Sequence, residues 1–507
     1  MSGPGFRPPA SHLNRELVVL VVVVGVLMAA VDTTIVVLAL PAMERSLHIA
    51  LSAVVWVIVS YVLVVTILAT QVGRLGDMFG RTRMYELGFL IFIIGSALCA
   101  TATDASTIIV FRIVQGVGGA FLTANSGAVL AEAFPKQERG KAFGYNSIGW
   151  NAGAILGILL GGLIITYASW RWIFWINVPT GILALALALK VLREQNPRRQ
   201  QRLDLVGMVL LGAGLFGVLW AMTRLATSSL LGSLLVALVG GVVVLVVFVI
   251  VEHRREDPMV NLRLFRIPTF APTLGAALFQ GLANFAVLFL VLMYLQGVRR
   301  LTPLDASLLL VPGYLVGGVI GPICGRLADR FGAVWPATIG LGVQVLALVV
   351  YSQLTASTPL GVVTVAAVLN GIGAGAFMPA NNSAVMKVAP GHDFGIASGM
   401  LRTFANIGMV FSFSVAILVA ARSVSRQTAF AIFVGTTSLS RKLGPAFTTG
   451  LHAAFFSSIG FMALAALLSA TRMLGAGRKS ALPHAVEGDG SVAQIVLDQT
   501  ATRVGKS

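Results

Sequence analysis

Long apolar runs, each of about 20 residues, recur along most of this 507-residue chain. A helix needs about 20 predominantly apolar residues to cross the hydrocarbon core of a bilayer, so each run is predicted to be a transmembrane helix. Because backbone polar groups cannot stay unpaired in lipid, the predicted fold class is an all-α integral membrane protein. The fourteen predicted spans are 17–40, 51–72, 84–102, 106–132, 142–166, 171–191, 204–224, 230–251, 269–296, 305–324, 334–352, 361–386, 394–421 and 452–472.

The amino-acid composition excludes a soluble protein. Hydrophobic residues make up 57% of the chain and charged residues 11%, whereas about a quarter of the residues in a soluble domain are charged. The net charge of +17 resides mostly in short loops between apolar runs, which predicts cytoplasmic loops and two cytoplasmic termini. A nucleic-acid-binding surface is not expected from this placement. Arg is far more frequent than Lys, a bias typical of GC-rich bacterial genomes, so the predicted location is a bacterial cell (inner) membrane.

Two short segments each occur twice along the chain. Residues 73–80 read GRLGDMFG and residues 325–332 read GRLADRFG, while QGVG at 115–118 recurs as NGIG at 370–373. Paired six-helix halves of this kind form the central site of many secondary transporters. The repeat predicts a cytoplasmic N-terminal segment at 1–16, a six-helix bundle at 17–191, a linker with two inserted helices at 192–268, a second six-helix bundle at 269–475 and a disordered cytoplasmic tail at 476–507.

The loop between spans two and three reads GRLGDMFGRTR and combines one acid, three arginines and helix-breaking glycines. It resembles the signature loop of the major facilitator superfamily, and the second copy at Gly325 strengthens the resemblance. The glycines are predicted to permit close helix approach and a tight turn, and the acid can pair with an Arg or a helix N-terminus and be released. The resemblance implies the major facilitator fold and a gate formed by Gly73, Asp77, Gly80, Arg81 and Asp329.

Further segments resemble the fourteen-span drug:proton antiporter family of multidrug efflux proteins. Span four contains RIVQG from Arg112, similar to the RxxQG pattern of the superfamily. VDTTIVVLALP at 31–41 and WRWIFWINVP at 170–179 are similar to that family's LDxTIVNVALP and WRWIFxINVP segments. GAILGILLGG at 153–162 is similar to the antiporter motif GxxxGPxxGG, with Ile158 in the usual proline position. The glycines of this motif that are expected to pack helices together are Gly153, Gly157, Gly161 and Gly162.

Asp32 is the acidic residue that the sequence places well inside a span. A charge at the bilayer centre costs about 2.5 to 3.5 kcal/mol, which makes this carboxylate a candidate for proton coupling. At about 1.5 Å per residue, Asp32 and Arg112 lie at one depth, so Arg112 is its expected counter-ion. Gln115 completes the predicted coupling and substrate site, and the repeat aligns the neutral Asn284 with Asp32. A purely structural role for the carboxylate is the alternative interpretation.

Arg402 lies about two turns into span thirteen from the predicted cytoplasmic side. In the resembled fold the start of this span faces the loop that carries Asp77, so a gate contact between Arg402 and that loop is predicted. Simple snorkelling of the long side chain to the membrane interface is the alternative. The segment at 422–450 is predicted to be an external loop without an assigned function.

Several patterns of energy-coupled or metal-dependent enzymes are missing from the sequence. No GxxxxGK[ST] segment occurs, which argues against direct coupling to ATP. The six histidines lie outside the spans or at their ends, so no histidine relay, metal site or cofactor is expected. Cys99 and Cys324 lie in apolar runs and are expected to be free thiols.

Together these patterns predict a proton-coupled secondary transporter that exports lipophilic, monocationic or neutral drug-like compounds by alternating access. The expected partners are a small lipophilic substrate, protons and membrane lipids, and the expected oligomeric state is a monomer. A lipid or lipid-precursor transporter of the same fold is the alternative. A membrane-embedded enzyme or receptor is disfavoured, because the predicted spans contain no clusters of His, Cys or paired acids.

Overall fold

A computed structural model provides the structure of this protein. Within the part of the chain that it describes the secondary structure is entirely helical, so the predicted all-α fold class is confirmed. The predicted external loop and the predicted disordered tail lie mostly outside that part. The described residues are 12–48, 51–134, 139–194, 203–225, 231–255, 258–260, 262–388, 394–420 and 444–479.

The helices fall into two halves separated by an inserted pair. The first half consists of α1 (His12–Leu47), α2 (Leu51–Phe79), α3 (Arg81–Thr101), α4 (Ala105–Ala133), α5 (Arg139–Tyr167), α6 (Trp172–Trp175) and α7 (Asn177–Val191). The inserted pair consists of α8 (Leu205–Leu225) and α9 (Leu231–Arg254). The second half consists of α10 (Phe270–Met293), α11 (Pro303–Phe331), α12 (Val334–Tyr351), α13 (Leu360–Val388), α14 (Phe394–Ala420) and α15 (Gly444–Lys479).

Thirteen helical segments among the described residues are long and apolar enough to cross a membrane. One of them, Trp172–Val191, combines α6 and α7. The thirteenth span predicted from the sequence corresponds to α14, a 27-residue apolar helix that is not among those thirteen segments. The protein therefore spans the membrane with about 13 to 14 helices, in agreement with the sequence prediction.

Helices extend beyond the predicted spans both within the chain, where α2 continues to Phe79 and α11 to Phe331, and near its ends. α1 begins at His12, within the predicted N-terminal segment, and α15 begins at Gly444, within the predicted external loop. α15 also continues to Lys479, beyond the predicted start of the tail at 476. Apolar residues mark only the part of a helix that lies in hydrocarbon, whereas backbone hydrogen bonding continues into the polar ends.

Equivalent helices pack in the same way in the two halves. α1 packs on α5, and α4 packs on α2 and α3, just as α10 packs on α14 and α13 packs on α11 and α12. The halves meet through α5 with α11 and through α2 with α14, while the inserted pair docks on α2 and α14. The end of this bundle that holds the start of α1 and the α2–α3 turn at Gly80 is called the terminal face below.

The predicted glycine surface of α5 lies against α1. Cβ atoms added at Gly153 and Gly157 would lie 2.8 and 2.9 Å from main-chain carbonyl oxygens of α1, so only glycine permits this approach. Gly161 faces Ile35 on α1, and Gly162 faces Leu304 on α11. Small residues let helix backbones approach closely in lipid, where the hydrophobic effect does not drive helix association. α5 runs without a break through Ile158, which is fully buried.

Candidate functional site

Asp32 and Arg112 form an ion pair between α1 and α4 in the interior of the first half. Arg112 Nη1 lies 2.6 Å from Asp32 Oδ2, and the side chains are 1% and 0% exposed, respectively. This contact agrees with the estimate from helical rise, which put the two charged residues at the same depth in the membrane. A buried ion pair must offset the loss of hydration of both charges, so its hydrogen-bonding surroundings determine whether it is stable.

Gln115 joins the two charged groups into one network. Its Nε2 donates to Asp32 Oδ1 at 2.8 Å and lies 2.8 Å from Ser96 Oγ on α3, and its Oε1 accepts from Arg112 Nη1 at 2.7 Å. Both carboxylate oxygens of Asp32 therefore accept hydrogen bonds. Gln115 and Ser96 are fully buried. The sequence pattern indicated Gln115, whereas Ser96 was missed because a serine in an apolar run gives no signal of its own.

The guanidinium of Arg112 is also held from α2 and α6. Its Nε donates to the carbonyl oxygen of Val57 at 2.9 Å. Its Cζ lies 4.4 Å from the ring centroid of Tyr61 and 5.8 Å from that of Phe174. Aromatic faces attract a cation through the negative potential of the ring, and more strongly when water is excluded. Arg112 is thus positioned by four helices, α1, α2, α4 and α6.

This network is closed to solvent in the conformation observed. Asp32 has 0% exposure, and each of its oxygens is already bonded to a neighbouring side chain. A proton or a substrate can reach the carboxylate only after Arg112 or Gln115 moves.

The corresponding position of the second half holds amides in place of charges. Gln344 Nε2 on α12 lies 3.2 Å from Asn284 Oδ1 on α10 and 3.1 Å from Asn370 Oδ1 on α13. Gln280 lies beside them, with its Nε2 3.5 Å from Gln344 Oε1. Asn284 and Asn370 are the repeat counterparts of Asp32 and Gln115. Gln344 and Gln280 were not predicted, because an isolated Gln in an apolar run can equally cap or pack.

A second charged network lies at the terminal face, around the predicted gate. Arg81 Nε donates to Asp77 Oδ1 at 2.9 Å, and Arg81 Nη1 lies 3.1 Å from Glu132 Oε1 on α4. Arg81 thus connects α2, α3 and α4. Asp77 and Arg81 are partly exposed, so water can compete for their contacts. The sequence predicted that Asp77 pairs with an arginine; the contribution of Glu132 from α4 was missed.

Glu194, which follows α7, caps the start of α3. Its carboxylate oxygens accept from the backbone N–H groups of Arg81 and Thr82, each at 3.2 Å. Gly80 precedes them with a φ of +110°, and a Cβ there would collide with the Glu194 carboxylate. Gly80 is therefore required both by its backbone conformation and by this close approach. The cap was missed because 113 residues separate Glu194 from Arg81.

Close helix packing at Gly73 stays a prediction, since among the described residues nothing lies within 4 Å of a Cβ added there. The close approach occurs one turn later at Gly76, where a Cβ would collide with Asn125 on α4. The physical reason is helical phase: Gly76 lies on the face of α2 that α4 covers.

Arg402 and Asp329 lie near the terminal face but in separate contacts. Arg402 Nη1 donates to the carbonyl oxygen of Thr123 on α4 at 3.2 Å. The predicted partner was the loop that carries Asp77, whereas the hydrogen bond observed goes to α4. α14 packs along α2, which directs this side chain past α2 toward α4. The contact still links the two halves of the molecule. Asp329 accepts from Ser383 Oγ at 3.1 Å, within the second half.

Arg472 on α15 is a further buried cation that the sequence analysis did not single out. It is 1% exposed, and its guanidinium donates to Asn381 Oδ1 at 2.9 Å, to Thr273 Oγ1 at 3.2 Å and to Ser469. An arginine at the last residue of a predicted span gives no signal in the sequence that it is buried. The surrounding oxygens are neutral, and they connect α10, α13 and α15.

Sequence comparison identifies the family. The profile described as Major Facilitator Superfamily matches residues 22–413, which is most of the chain. The chain belongs to the major facilitator superfamily. The riboflavin transporter RibZ of Clostridioides difficile (strain 630) is 32% identical over 404 residues, which cover 78% of this chain and 86% of that protein. The tetracenomycin C resistance and export protein of Streptomyces glaucescens is 30% identical over 420 residues, covering 80% and 76%.

Solved structures support the same fold. A bacterial homolog of the human lysosomal transporter Spinster, in an inward-facing and occupied conformation, superimposes with a TM-score of 0.64. The match covers 91% of this chain and 97% of that one at 16% identity, so it shows similarity of fold alone. This protein is therefore a membrane-spanning transporter of the major facilitator superfamily and not an enzyme.

Proposed function

We propose that this protein is a proton-coupled antiporter of the fourteen-span drug-export family, located in a bacterial inner membrane with both termini in the cytoplasm. It exports lipophilic compounds that are neutral or carry one positive charge. Transport follows alternating access, in which the two six-helix halves expose a central site to one side at a time. The similarity to a tetracenomycin C resistance and export protein supports the assignment to drug export.

The observation that carries this proposal is the buried Asp32–Arg112–Gln115 network. An ionisable pair in the membrane interior is costly and is a functional candidate by default. Asp32 is ionised and paired with Arg112 in one form of the cycle. Protonation of Asp32 removes the negative partner of Arg112, which favours a different position of the guanidinium and so a different arrangement of α1 and α4.

The charge difference between the halves supports a preference for small substrate charge. The position of Asp32 is occupied by Asn284 in the second half, within a cluster of amides. One carboxylate can exchange one proton for one positive charge, whereas a dication would need a second. Amide groups instead donate and accept hydrogen bonds to polar atoms of an otherwise apolar compound.

Transport by purified protein in proteoliposomes tests this proposal. An acidic interior should drive accumulation of tetraphenylphosphonium, a lipophilic monocation, as protons leave the vesicle. Riboflavin is tested in parallel, because a relative is a riboflavin transporter. We expect a protonophore to abolish accumulation and ATP to have no effect. Accumulation that needs ATP, or that persists after the pH gradient has collapsed, would contradict proton antiport.

A further inference from the structure

The inserted helices carry a second buried acidic pair, at the terminal face. Asp204 precedes α8 and Glu252 lies in the last turn of α9, and each residue is only 1% exposed. The two side chains lie next to α2, whose Gln71 Oε1 accepts from the backbone N–H of Asp204 at 3.2 Å. This pair belongs to neither the Asp32 network nor the Asp77 network.

One oxygen of each carboxyl group has a clear donor. Asp204 Oδ1 accepts from the backbone N–H of Gly207 at 2.8 Å and from Arg255 Nη1 at 2.6 Å. Glu252 Oε2 accepts from the backbone N–H of Val260 at 2.9 Å. These bonds fix both carboxyl groups in place and cap the start of α8.

The other two oxygens face each other. Asp204 Oδ2 and Glu252 Oε1 are buried and receive no hydrogen bond from the described residues. A Cβ added at Gly207 would touch both atoms, so the two oxygens converge on one point beside this glycine. Two carboxylates that share a site cannot both ionise easily, and the proton between them belongs to the pair.

The other charged groups around the pair do not replace that proton. Arg255 is bonded to Oδ1 of Asp204, and Arg74 on α2 donates to the carbonyl oxygen of Pro258 at 2.5 Å. On α14, which also packs on α8, Arg402 donates to Thr123. His253 and Arg254, which follow Glu252, are exposed.

The ionisation of Asp204 fits this arrangement. Burial opposes its ionisation, but the adjacent Glu252 carboxyl group, the hydrogen bond from the Gly207 N–H, and the charges of Arg255 and Arg74 hold the pKa of Asp204 below its ordinary value. Asp204 is therefore the ionised member of the pair, and Glu252 is the donor that carries the shared proton.

We propose that Asp204 and Glu252 form a second proton-binding site, in which one proton joins Asp204 Oδ2 to Glu252 Oε1 and fastens the inserted helices to α2 beside the gate. Gln71 and Arg74, which hold the pair and its following segment, lie on the same last turns of α2 as Asp77. Loss of the proton places two facing negative charges against this end of α2. The site is independent of Asp32 and of the proposed substrate.

Protonation stabilises the folded state here, so the sign of the pH effect is defined. The folded protein holds the shared proton more tightly than the unfolded chain, whose carboxyl groups are separate. The stabilisation is present at acidic pH and is lost as the pH rises through the titration of the pair. Glu252→Gln replaces the proton by a permanent amide donor to Asp204 Oδ2 and should remove this dependence.

The test measures the melting temperature of the purified full-length protein from about pH 5 to about pH 8. Over this pH range we expect the melting temperature of the native protein to fall by about 3 °C more than that of Glu252→Gln. The same difference is expected between Asp32→Asn and the double variant Asp32→Asn with Glu252→Gln. Asp305→Asn, an exposed carboxyl at the start of α11, is the matched control and should follow the native curve.

Infrared absorption of protonated carboxyl groups provides the second measurement. The native protein at neutral pH should show a buried carboxylic acid band that Glu252→Gln lacks and Asp305→Asn retains. Parallel melting curves of the native protein and Glu252→Gln, or an unchanged band, would overturn the proposal. A rise in the native melting temperature on addition of Na⁺ at constant pH would also overturn it, because it would show that a metal cation and not a proton occupies the pair.

Discussion

At the scale of single residues, the interior of the first half contains two charges that depend on each other. Asp32 and Arg112 are both removed from water, and each is held by uncharged donors and acceptors as well as by its partner. Removing one member of such a pair leaves the other charge uncompensated, which typically costs about 3 to 5 kcal/mol. Variants at these positions therefore change protonation as well as packing.

Replacement of Arg112 by alanine tests this dependence. Without the guanidinium, Asp32 keeps the neutral Gln115 amide as a donor, and burial then favours the uncharged acid. We expect the midpoint of the pH dependence of tetraphenylphosphonium binding to move to higher pH, because the cation that favours the ionised form has been removed. The exposed Arg45, which donates to the carbonyl oxygen of Pro41 on its own helix, provides the control Arg45→Ala. An unchanged midpoint in Arg112→Ala would show that the arginine is purely structural.

Residues of the site differ in how well the sequence predicts them. The contact between Asp32 and Arg112 could be predicted because a charge in an apolar run is conspicuous and helical rise gives its depth. The role of Glu194 could not be predicted, because a glutamate at the end of a span is normally solvated, and only the folded chain brings it to Gly80. The glycines of the motif show another limit, because the sequence does not reveal that Gly76 lies on the face of α2 that α4 covers.

At the scale of helices, the α1–α5 contact depends on glycines, which have no side chain to separate the two backbones. Gly157 is closely confined, because a Cβ there would collide with Thr34 Oγ1 and lie 2.9 Å from the carbonyl oxygen of Val31. The backbone of α1 cannot retreat without disturbing Asp32 on the same helix. The packing of these two helices therefore also positions the buried ion pair.

We expect Gly157→Ala to lower the stability of the purified protein by about 1 to 3 kcal/mol, as overpacking of a tight contact typically does. The measurement is a thermal unfolding curve in detergent. Gly240→Ala on α9 is the control, since no described residue lies within 4 Å of a Cβ at that position. Equal melting temperatures for both variants would show that α1 and α5 are not tightly packed in the solubilised protein.

The helices themselves were largely predictable from the sequence, because lipid leaves few alternatives to a helix for an apolar run of 20 residues. Their ends were less predictable. The division of the sixth span into α6 and α7 near Ile176 was also not predicted. Trp170 and Phe174, which lie before this division, are buried.

At the scale of the whole molecule, two halves with the same helix packing carry different chemistry. The first half holds the buried Asp32–Arg112 pair, and the second half holds the Asn284–Gln344–Asn370 amides. The halves are linked near the terminal face by the hydrogen bond from Arg402 to Thr123. Alternation between two access states must break contacts of this kind while the interior of each half persists.

Asp77→Asn tests the proposed gate. The variant weakens the Asp77–Arg81 contact, which joins α2 to α3 and through Glu132 to α4. Since the pair is partly exposed, a loss of about 1 kcal/mol or less is expected, which corresponds to a transport rate lower by about fivefold. Equilibrium binding of tetraphenylphosphonium should change by less than about twofold. If binding weakened as much as transport slowed, Asp77 would act on the substrate site and not on the gate.

The central claim is that Asp32 carries the coupled proton, and transport by Asp32→Asn tests it most directly. In proteoliposomes with an acidic interior, the variant should lose the gradient-driven accumulation of tetraphenylphosphonium, because an amide cannot bind and release a proton. The variant should still insert into the vesicle membrane, and Asp305→Asn should behave like the native protein. Accumulation by Asp32→Asn at the native level would contradict the assignment of Asp32 as the coupling residue.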